Sequence, residues 1–248
     1  MSLVTDPFSE RTGLLLGAEA LAALRRRHVL IAGLGGVGSY AAEATARAGV
    51  GRITLLDHDQ VAPSNLNRQL VALRSTVGQP KTEVMQRRIA DIDPAIRVQT
   101  VTEFLRPDNI PELVPGDADY VLDCIDSIAC KAALVAACQT REQRVISSVG
   151  AGGRIDPTLI RVGLLAETRI CPLARILRKQ LRRLGARLDY PVVYSLEVPR
   201  KGTEHCPIDG PVPGRARSVN GTISYLPALF GLTAAGWVLR EIIDEGPG

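Results

Sequence analysis

The chain has 248 residues, of which 46% are hydrophobic and 23% are charged, as in ordinary globular proteins of one large or two small domains. Its net charge of +4 is too small to identify a nucleic-acid-binding protein by itself. Aromatic residues make up only 4% of the chain. The core must therefore consist of Ala, Val, Leu and Ile, which is typical of helices packed on a parallel sheet.

Short β-branched runs alternate with helical patterns from Arg27 to Ser148. Alternation of this kind indicates right-handed βαβ crossovers, and therefore an α/β fold with a doubly wound, mostly parallel sheet. The predicted strands are 28–32, 52–56, 96–101, 119–123 and 144–148, and the predicted helices are 37–47, 81–92 and 128–141.

The pattern changes after a glycine-rich turn at 150–153. The second half is predicted to contain a strand at 159–164, a basic helix at 172–184, a strand at 192–198, a Pro/Gly-rich stretch at 199–214 and an apolar C-terminal helix from 225. No internal repeat or linker separates these parts from the first half, which favours a single domain.

The sequence predicts neither secretion nor a membrane span. Residues 1–13 lack a basic region followed by an apolar run. The longest apolar stretch, 225–239, is interrupted by Pro227 and is shorter than a bilayer span, which favours a buried helix over association with a membrane interface. The five cysteines include no CxxC pair, which argues against a disulfide framework and a structural zinc site. We therefore expect a cytoplasmic protein without zinc and without an integral membrane span.

The first predicted strand runs into a glycine-rich sequence, GLGGVG, at 33–38. The pattern G-x-G-x-x-G between a strand and a helix lets the backbone approach a nucleotide closely, and the helix N-terminus offers N–H groups to anionic oxygens. The second strand is followed by Asp57, 19 residues after Gly38, where a carboxylate can accept hydrogen bonds from a ribose. Together these features predict a nucleotide site, and a nicotinamide dehydrogenase is the first interpretation.

The residues that follow Asp57 favour a triphosphate instead. The sequence DHDQVAPSNLNRQ at 57–69 contains the cation Arg68, and a second cation, Lys81, opens the next predicted helix. Two cations that converge on the crevice above the carboxyl ends of the strands suit a triphosphate. The pyrophosphate of a dinucleotide would need no such cations, because the helix N-terminus already binds it. After the fourth strand, the sequence DCIDS at 123–127 offers carboxylates that can hold a Mg²⁺ ion bridging phosphates.

In this order, the motifs GxGGxG, DxDxVxxSNxNRQ, GxxK and DxxDS resemble the ATP-binding signature of the ubiquitin-activating-enzyme-like superfamily. That superfamily includes the molybdopterin-synthase and thiamine-pathway adenylyltransferases. The resemblance is closer to the tRNA threonylcarbamoyladenosine dehydratases, through VGQPKTEVM at 77–85, IDS at 125–127 with KAAL at 131–134, and GAGGRIDPT at 150–158. It covers about residues 8–165 well and the remainder loosely.

The resemblance implies a Rossmann-like fold in a single adenylation domain over 1–248. The nucleotide-binding core would span about 27–165. The elaborated C-terminal part, with the basic crossover and the C-terminal helix, would span about 166–243. The cofactors implied are ATP and Mg²⁺.

The resemblance also implies roles for individual residues. Gly36 would lie under the nucleotide, Asp57 would bind the ribose, and Asp126 would hold Mg²⁺. In the segment FSER at 8–11, Arg11 matches an arginine that the family donates into the partner subunit's ATP site, which implies a homodimer. The catalytic residues implied are Arg11, Arg68, Lys81 and Asp126. The nucleotide-binding residues implied are Gly33, Gly35, Gly36, Gly38, Asp57, Asp59, Asn65, Arg68, Gln69, Lys81, Asp126 and Ser127, with Asn65, Arg68 and Lys81 on the phosphates.

The reaction implied is the adenylation of a carboxylate. In the dehydratases this is the carboxylate of threonylcarbamoyladenosine in tRNA. The neighbouring carbamoyl group then captures the activated acyl group, with net loss of water. One alternative is an adenylyltransferase that activates the C-terminal Gly-Gly of a ubiquitin-like sulfur-carrier protein, with Cys171 or Cys206 as a candidate sulfur-bearing residue. Such a carrier, or a component of a cysteine-desulfurase system, is then a second candidate partner. The other alternative is a non-catalytic nucleotide- or tRNA-binding module.

The predicted basic helix at 172–184 contains no acidic residue. The pattern predicts one packed apolar stripe of Leu173, Ile176, Leu177, Leu181 and Leu184, with the cations opposite. A solvated face is one interpretation, and a surface for the tRNA backbone is the other. The tRNA-binding candidates are Arg175, Arg178, Lys179, Arg182 and Arg183, and Arg200, Lys201, Arg215 and Arg217 would extend this surface.

Overall fold

The computed structural model describes residues 7–201 and 221–245. Its helices are α1 (Glu10–Arg26), α2 (Gly38–Arg47), α3 (Lys81–Ile92), α4 (Ile110–Leu113), α5 (Ile128–Thr140), α6 (Pro172–Arg183) and α7 (Tyr225–Asp244). Its strands are β1 (His28–Ala32), β2 (Arg52–Leu56), β3 (Arg97–Val101), β4 (Tyr120–Asp123), β5 (Arg144–Ser148), β6 (Ile160–Leu164) and β7 (Pro191–Ser195).

The seven strands form one sheet in the order β3-β2-β1-β4-β5-β7-β6. Neighbouring strands are parallel except for β6, which pairs with β7 in the antiparallel direction. The prediction of an α/β fold with a doubly wound, mostly parallel sheet is confirmed. The chain reverses its direction of travel across the sheet between β1 and β4, so ligands are expected above the carboxyl ends of these two strands.

Two apolar layers cover the sheet. Within β1, Val29 and Ile31 face the layer that contains α1, α2, α3 and α7, whereas Leu30 and Ala32 face the layer that contains α4, α5 and α6. Because both faces of the strand are buried, its sequence is a continuous apolar run without alternation.

Several predicted bounds differ from the observed ones by one residue, one strand ends three residues early, and two helices, α1 and the four-residue α4, were not predicted. Helix α1 was not predicted, because two glycines interrupt its apolar pattern and Gly17, with φ +82°, bends it. Its second half nevertheless buries Leu21 and Leu24 against the core. The strand predicted to continue to residue 198 ends at Ser195, because the Ser195 hydroxyl accepts the backbone N–H of Glu197 and turns the chain out of the sheet.

Helix α7 is long and apolar enough to cross a membrane by length and composition, and it is the one such helix in the described ranges. Half of its most apolar 18-residue window is buried inside the protein. It packs so closely on α2 that a Cβ atom at Gly231 would overlap with the carbonyl oxygen of Val37. Packing in the core therefore accounts for its composition, as expected for a buried helix.

Candidate active site

The turn between β1 and α2 lies directly against the loop after β4. Gly33 has φ +89°, and a Cβ atom there would lie 3.0 Å from the carbonyl oxygen of Cys124. A Cβ atom at Gly38 would overlap with the carbonyl oxygen of Gly33. Both positions therefore require glycine. These contacts hold the first turn of α2 at the crevice above β1 and β4.

Asp57 is buried beneath this turn and holds it in place. Its Oδ2 accepts the backbone N–H of Leu34 at 2.5 Å, and its Oδ1 accepts the backbone N–H of Asp59 at 2.8 Å. Asp59 itself has half of its side chain exposed. Of the two carboxylates, Asp57 supports the backbone of the glycine turn, whereas Asp59 is open to a ligand.

Lys81, at the first position of α3, points back toward these carboxylates. Its Nζ lies 2.8 Å from Asp59 Oδ2 and 3.9 Å from Asp57 Oδ2, and the side chain is almost fully buried. Asp57, His58 and Asp59 bring three potential metal-ligand atoms within 4.8 Å of one another. Because the Lys81 ammonium already supplies positive charge to both carboxylates, the cluster gives no reason to assign a metal ion to it.

The side chain of Arg68 lies over the glycine turn. A Cβ atom at Gly36 would lie 3.4 Å from Arg68 Cγ. The guanidinium donates to the carbonyl oxygen of Ser64 at 2.8 Å and to Asn67 Oδ1 at 2.9 Å, and burial lowers its pKa. Among the described residues no carboxylate lies within 4.0 Å of this guanidinium. Its positive charge is therefore available to an anionic ligand.

Two neighbours of Arg68 complete this side of the site. Asn65 Oδ1 accepts the backbone N–H of Ala62 at 3.0 Å and shapes the short 3₁₀ turn Pro63–Asn65. Gln69 is buried, and a Cβ atom at Gly35 would lie 3.9 Å from its Nε2. The buried Oε1 of Gln69 has no hydrogen-bond partner in the described chain. Buried amide oxygens are almost always paired, so this one is suited to a donor from a ligand.

The two acidic residues of the predicted magnesium motif have different environments. Asp123 is completely buried and forms an ion pair with Lys131 at 2.8 Å. Asp126 is exposed, and Ser127 precedes the first residue of α5. Asp126 is therefore the carboxylate that a metal ion could reach. Sequence reasoning missed Lys131, although a lone cation within the apolar helix sequence IACKAALVAAC was a signal that it would be paired.

The start of α7 also borders the site, which sequence reasoning did not anticipate. Asn67 Nδ2 donates to the carbonyl oxygen of Thr222 at 3.0 Å, and the Tyr225 hydroxyl donates to the carbonyl oxygen of Ile155 at 2.6 Å. A Cβ atom at Gly36 would lie 3.0 Å from Pro227 Cβ. The residues that precede and begin α7 thus join the glycine turn to the loop after β5. These contacts link distant parts of the chain and leave no local pattern in the sequence.

Arg11 does not belong to the site of its own chain. Phe8, one turn earlier, lies at the amino edge of the sheet. Its ring stacks with the guanidinium of Arg25, and a Cβ atom at Gly49 would lie 3.9 Å from the ring. The predicted nucleotide-binding residues that follow β1, β2 and β4 lie at the opposite, carboxyl edge. Arg11 is exposed, and so are Leu14 and Leu15, at 78% and 82%.

Helix α6 differs from its prediction in its packing. The buried stripe consists of Ala174, Leu177 and Leu181. Ile176 and Leu184, predicted to pack, are 42% and 55% exposed, because the contact stripe of this short helix is narrower than the apolar face in its sequence.

The cations of α6 also separate into two groups. Arg178 is half-buried, and its Nη1 donates to the carbonyl oxygens of Thr168 at 2.7 Å and Leu165 at 3.3 Å. It therefore holds the preceding turn rather than facing solvent with the others. The exposed cations are Arg175, Lys179, Arg182 and Arg183.

The cysteines inside the described ranges are free and mostly buried. Burial raises the pKa of Cys124 to about 12 and that of Cys138 to about 12, so neither is a reactive thiolate near neutral pH. Cys171 is 2% exposed. Cys206, with the basic residues Arg215 and Arg217, lies outside the described residues.

Comparison with known proteins assigns the family. The model of the ThiF family matches residues 10–247. This chain belongs to the ThiF family. Its sequence is 38% identical over 260 residues to the tRNA threonylcarbamoyladenosine dehydratase of Escherichia coli (strain K12). The match covers 98% of this chain and 97% of the relative. The predicted resemblance to the dehydratases is confirmed.

The ThiF-family fold is confirmed by a solved structure. The crystal structure of the E. coli tRNA N6-threonylcarbamoyladenosine dehydratase in complex with ATP matches with a TM-score of 0.85 at 38% identity, over 98% of this chain and 97% of that one. By contrast, the molybdopterin-synthase adenylyltransferase of Salmonella typhimurium (strain LT2) is 41% identical over 138 residues, which is 56% of this chain. The similarity to the dehydratase thus covers nearly the whole chain, whereas that to the adenylyltransferase covers little more than half of it.

Proposed function

We propose that this protein is an ATP-dependent tRNA threonylcarbamoyladenosine dehydratase. The observation that carries the proposal concerns Arg68. Its side chain packs on the glycine turn, and its half-buried guanidinium has no acidic partner among the described residues. The near full-length similarity to a dehydratase whose crystal structure contains ATP supports the choice of nucleotide and of substrate.

The residues around the glycine turn fit ATP. The first-turn N–H groups of α2 and the guanidinium of Arg68 are placed for phosphate oxygens. The exposed carboxylate of Asp59 suits the ribose better than that of Asp57, whose oxygens already accept two backbone N–H groups. Lys81 would leave its pairing with Asp59 to contact a phosphate. The unpartnered Oε1 of Gln69 offers an acceptor to the nucleotide.

Asp126 is the residue that would hold Mg²⁺, which supplies charge neutralisation on the phosphates when it is bound. The chemical step requires that a substrate carboxylate oxygen attack the α-phosphorus of ATP while pyrophosphate departs. Arg68 and Lys81 would stabilise the negative charge that develops on the departing oxygens. The acyl-adenylate would then be attacked at its carbonyl carbon by the carbamoyl group. AMP leaves with one oxygen of the former carboxylate, so the ring closes with net loss of water.

The homodimer would supply the remaining catalytic cation. Arg11 lies at the amino edge of its own sheet, so it can serve an active site only in a second copy of the chain. The exposed leucines beside it, Leu14 and Leu15, support this arrangement because burial in a dimer would remove them from water. In this arrangement each subunit completes the site of the other.

The exposed cations of α6 are the proposed tRNA surface. Arg175, Lys179, Arg182 and Arg183 lie on a helix with no acidic residue, so their charges are not compensated within it. A polyanionic backbone is the ligand that such a surface suits. Arg178 is excluded from this surface because its Nη1 is bound to carbonyl oxygens of the protein itself.

The decisive experiment is nucleoside analysis of tRNA before and after incubation with the protein and ATP. We expect threonylcarbamoyladenosine to be converted to a product lighter by one water, with release of pyrophosphate. Equal pyrophosphate release with tRNA that lacks the modification would contradict the proposal. The second candidate, a carrier-protein adenylyltransferase, is favoured by the 138-residue match to such an enzyme. It predicts pyrophosphate exchange that depends on a carrier ending in Gly-Gly.

A further inference from the structure

Arg154 is a buried cation that has no counter-ion among the described residues. It follows β5 in the glycine-rich turn 150–154 and is 2% exposed. Its Nε donates to the backbone carbonyl oxygen of Glu197 at 2.9 Å, but its Nη2 is buried and has no partner among the described residues. The Glu197 carboxylate is turned away, because its Oε2 accepts the backbone N–H groups of Ile155 and Asp156. A buried charge without a counter-ion is unfavourable unless a ligand supplies the opposite charge and the missing hydrogen-bond acceptor.

A second positive feature meets Arg154 at the same place. A Cβ atom at Gly150 would lie 2.9 Å from Arg154 Nη1 and 2.5 Å from Cys171 Sγ, so these two side chains are neighbours across the glycine. Cys171 is the N-cap of the 12-residue helix α6, and its side chain makes no capping hydrogen bond. The first N–H groups of α6 therefore lack the partner that an N-cap residue normally provides. The positive end of a helix and a guanidinium both stabilise an anion placed between them.

This location borders the proposed adenylation site. Strand β5 pairs in parallel with β4, so the turn 150–154 lies beside the loop that carries Asp126. The backbone N–H of Gly153 donates to the carbonyl oxygen of Gly221 at 2.8 Å, just before α7. Helix α7 then contacts the glycine turn at Gly36 through Pro227. Arg154 thus lies one strand beyond the proposed magnesium loop, on the same edge of the sheet.

The geometry points to a second oxyanion subsite, formed by Arg154 and the N-terminus of α6, that binds the substrate to be adenylated rather than ATP. The inference rests on the proposed function, in which the phosphates of ATP are already served by Arg68 and Lys81. The oxyanion is a carboxylate of the threonylcarbamoyl group or a phosphodiester of the tRNA next to it. Both present paired oxygens that a guanidinium can bind with two hydrogen bonds.

The test is the substitution Arg154→Met, which keeps an unbranched side chain and removes the charge. We expect the KM for modified tRNA to rise about tenfold or more, as for loss of a charge-assisted hydrogen bond, while the KM for ATP changes less than twofold. The Tm of the protein without substrates should rise by about 2–4 °C, because an unpaired buried charge is removed. Arg154→Lys should recover part of the loss in KM. An unchanged KM for tRNA, or a lower Tm with both KM values raised together, would overturn the subsite.

The matched control is Arg161→Met, at an exposed arginine of β6 whose guanidinium donates to the nearby carbonyl oxygens of Thr158 and Ile160. It should change neither KM nor Tm. Binding without ATP identifies the source of the oxyanion. If free threonylcarbamoyladenosine, which has no phosphodiester, binds the wild type about tenfold more tightly than Arg154→Met, the carboxylate is the ligand. If free threonylcarbamoyladenosine binds both proteins equally but unmodified tRNA binds the wild type more tightly than Arg154→Met, the phosphodiester is the ligand.

Failure of the subsite and failure of the proposed function are distinguishable. Equal binding of both probes to wild type and Arg154→Met overturns the subsite even if the wild type dehydrates tRNA. Absence of any dehydration by the wild type overturns the proposed function before the variant is made.

Discussion

Asp123 and Lys131 form an ion pair in which neither side chain is exposed to solvent, with 2.8 Å between Oδ2 and Nζ. Ser147 Oγ donates to the same carboxylate oxygen at 2.6 Å, and Lys131 Nζ also donates to the carbonyl oxygen of Asp123 at 3.2 Å. The pair fastens the end of β4 to α5 directly beneath the loop 124–127. The position of Asp126 in the candidate site therefore depends on a charge pair that is itself fully buried.

Removal of one partner of this pair should destabilise the protein strongly. We expect Lys131→Ala to lower the free energy of unfolding by about 3–5 kcal/mol, because the Asp123 carboxylate would remain buried without a cation. Urea denaturation measures the effect. Lys179→Ala, at an exposed position of α6, is the control and should change the free energy by less than about 0.5 kcal/mol. A loss below about 1 kcal/mol at Lys131 would mean that water reaches the pair.

The two carboxylates that follow β2 should respond differently to the same substitution. Asp57→Asn removes charge from a side chain that accepts two backbone N–H groups, so it should lower both the free energy of unfolding and the affinity for ATP. Asp59→Asn should weaken ATP binding with little effect on unfolding, because its side chain is half exposed. Titration calorimetry and urea denaturation of both variants separate the roles. Loss of stability in Asp59→Asn alone would reverse the assignment.

Two inactive variants should restore activity when they are mixed. Arg11→Ala removes the cation that we propose acts in the partner subunit, and Arg68→Ala removes the cation over the glycine turn of the same subunit. A mixed dimer then has one intact site, and since half of all dimers are mixed after exchange, about a quarter of wild-type activity should return. Pyrophosphate release before and after mixing measures it. Arg74→Ala, at an exposed arginine, should be fully active throughout. No recovery on mixing would place both residues in one chain's site.

The sequence predicted the first half of the fold well because its elements are locally encoded. The bounds of β1, β2, β5 and α3 are those predicted, since each is a continuous apolar or amphipathic run between turn residues. Helix α1 was missed because its stability comes from packing of Leu21 and Leu24 rather than from a regular pattern. Propensity and periodicity do not register such tertiary contributions.

The site was predicted to the extent that its residues follow strand ends. Arg68, Lys81 and Asp126 lie on loops or helix starts at the carboxyl edge, where a doubly wound sheet must place them. The closing contacts from residues 222–227 to Asn67 and Gly36 could not be predicted, because more than 150 residues separate the partners. Whether a cation on α6 faces solvent or protein, as for Arg178, depends on the neighbouring turn and not on the helix sequence.

Neutralisation of the exposed cations of α6 should weaken tRNA binding selectively. The combined variant changes Arg175, Lys179, Arg182 and Arg183 to Gln, and leaves Arg178 intact because its loss would disturb the turn at Leu165–Glu167. The slope of log affinity against log salt should become shallower by about one for each phosphate that the variant no longer neutralises, while ATP affinity stays the same. Filter binding at several salt concentrations measures the slope. An unchanged slope would show that this face is merely solvated.

Stability should decrease in mild acid because of His28, at the amino end of β1. Burial lowers the pKa of this imidazole below its ordinary value of 6.5, and the nearby Arg52 adds to the effect. The ring is held by Thr54 Oγ1 at 2.8 Å and by the carbonyl oxygen of Asp117 at 3.3 Å. Since the unfolded chain binds the proton more tightly than the folded protein, the free energy of unfolding falls as pH decreases through 6.5, and the loss is complete below the folded pKa.

Substitution of His28 isolates its share of this pH dependence. His28→Gln lacks a titratable ring but keeps an amide that can reach Thr54, so its free energy of unfolding should fall less than that of the wild type between pH 7.5 and pH 5.5. Urea denaturation at both pH values measures the loss in free energy of unfolding for each protein. The contributions of all other groups cancel when the two losses are subtracted. If the wild type and His28→Gln lost the same free energy over this interval, the buried imidazole would have to be charged in the folded protein.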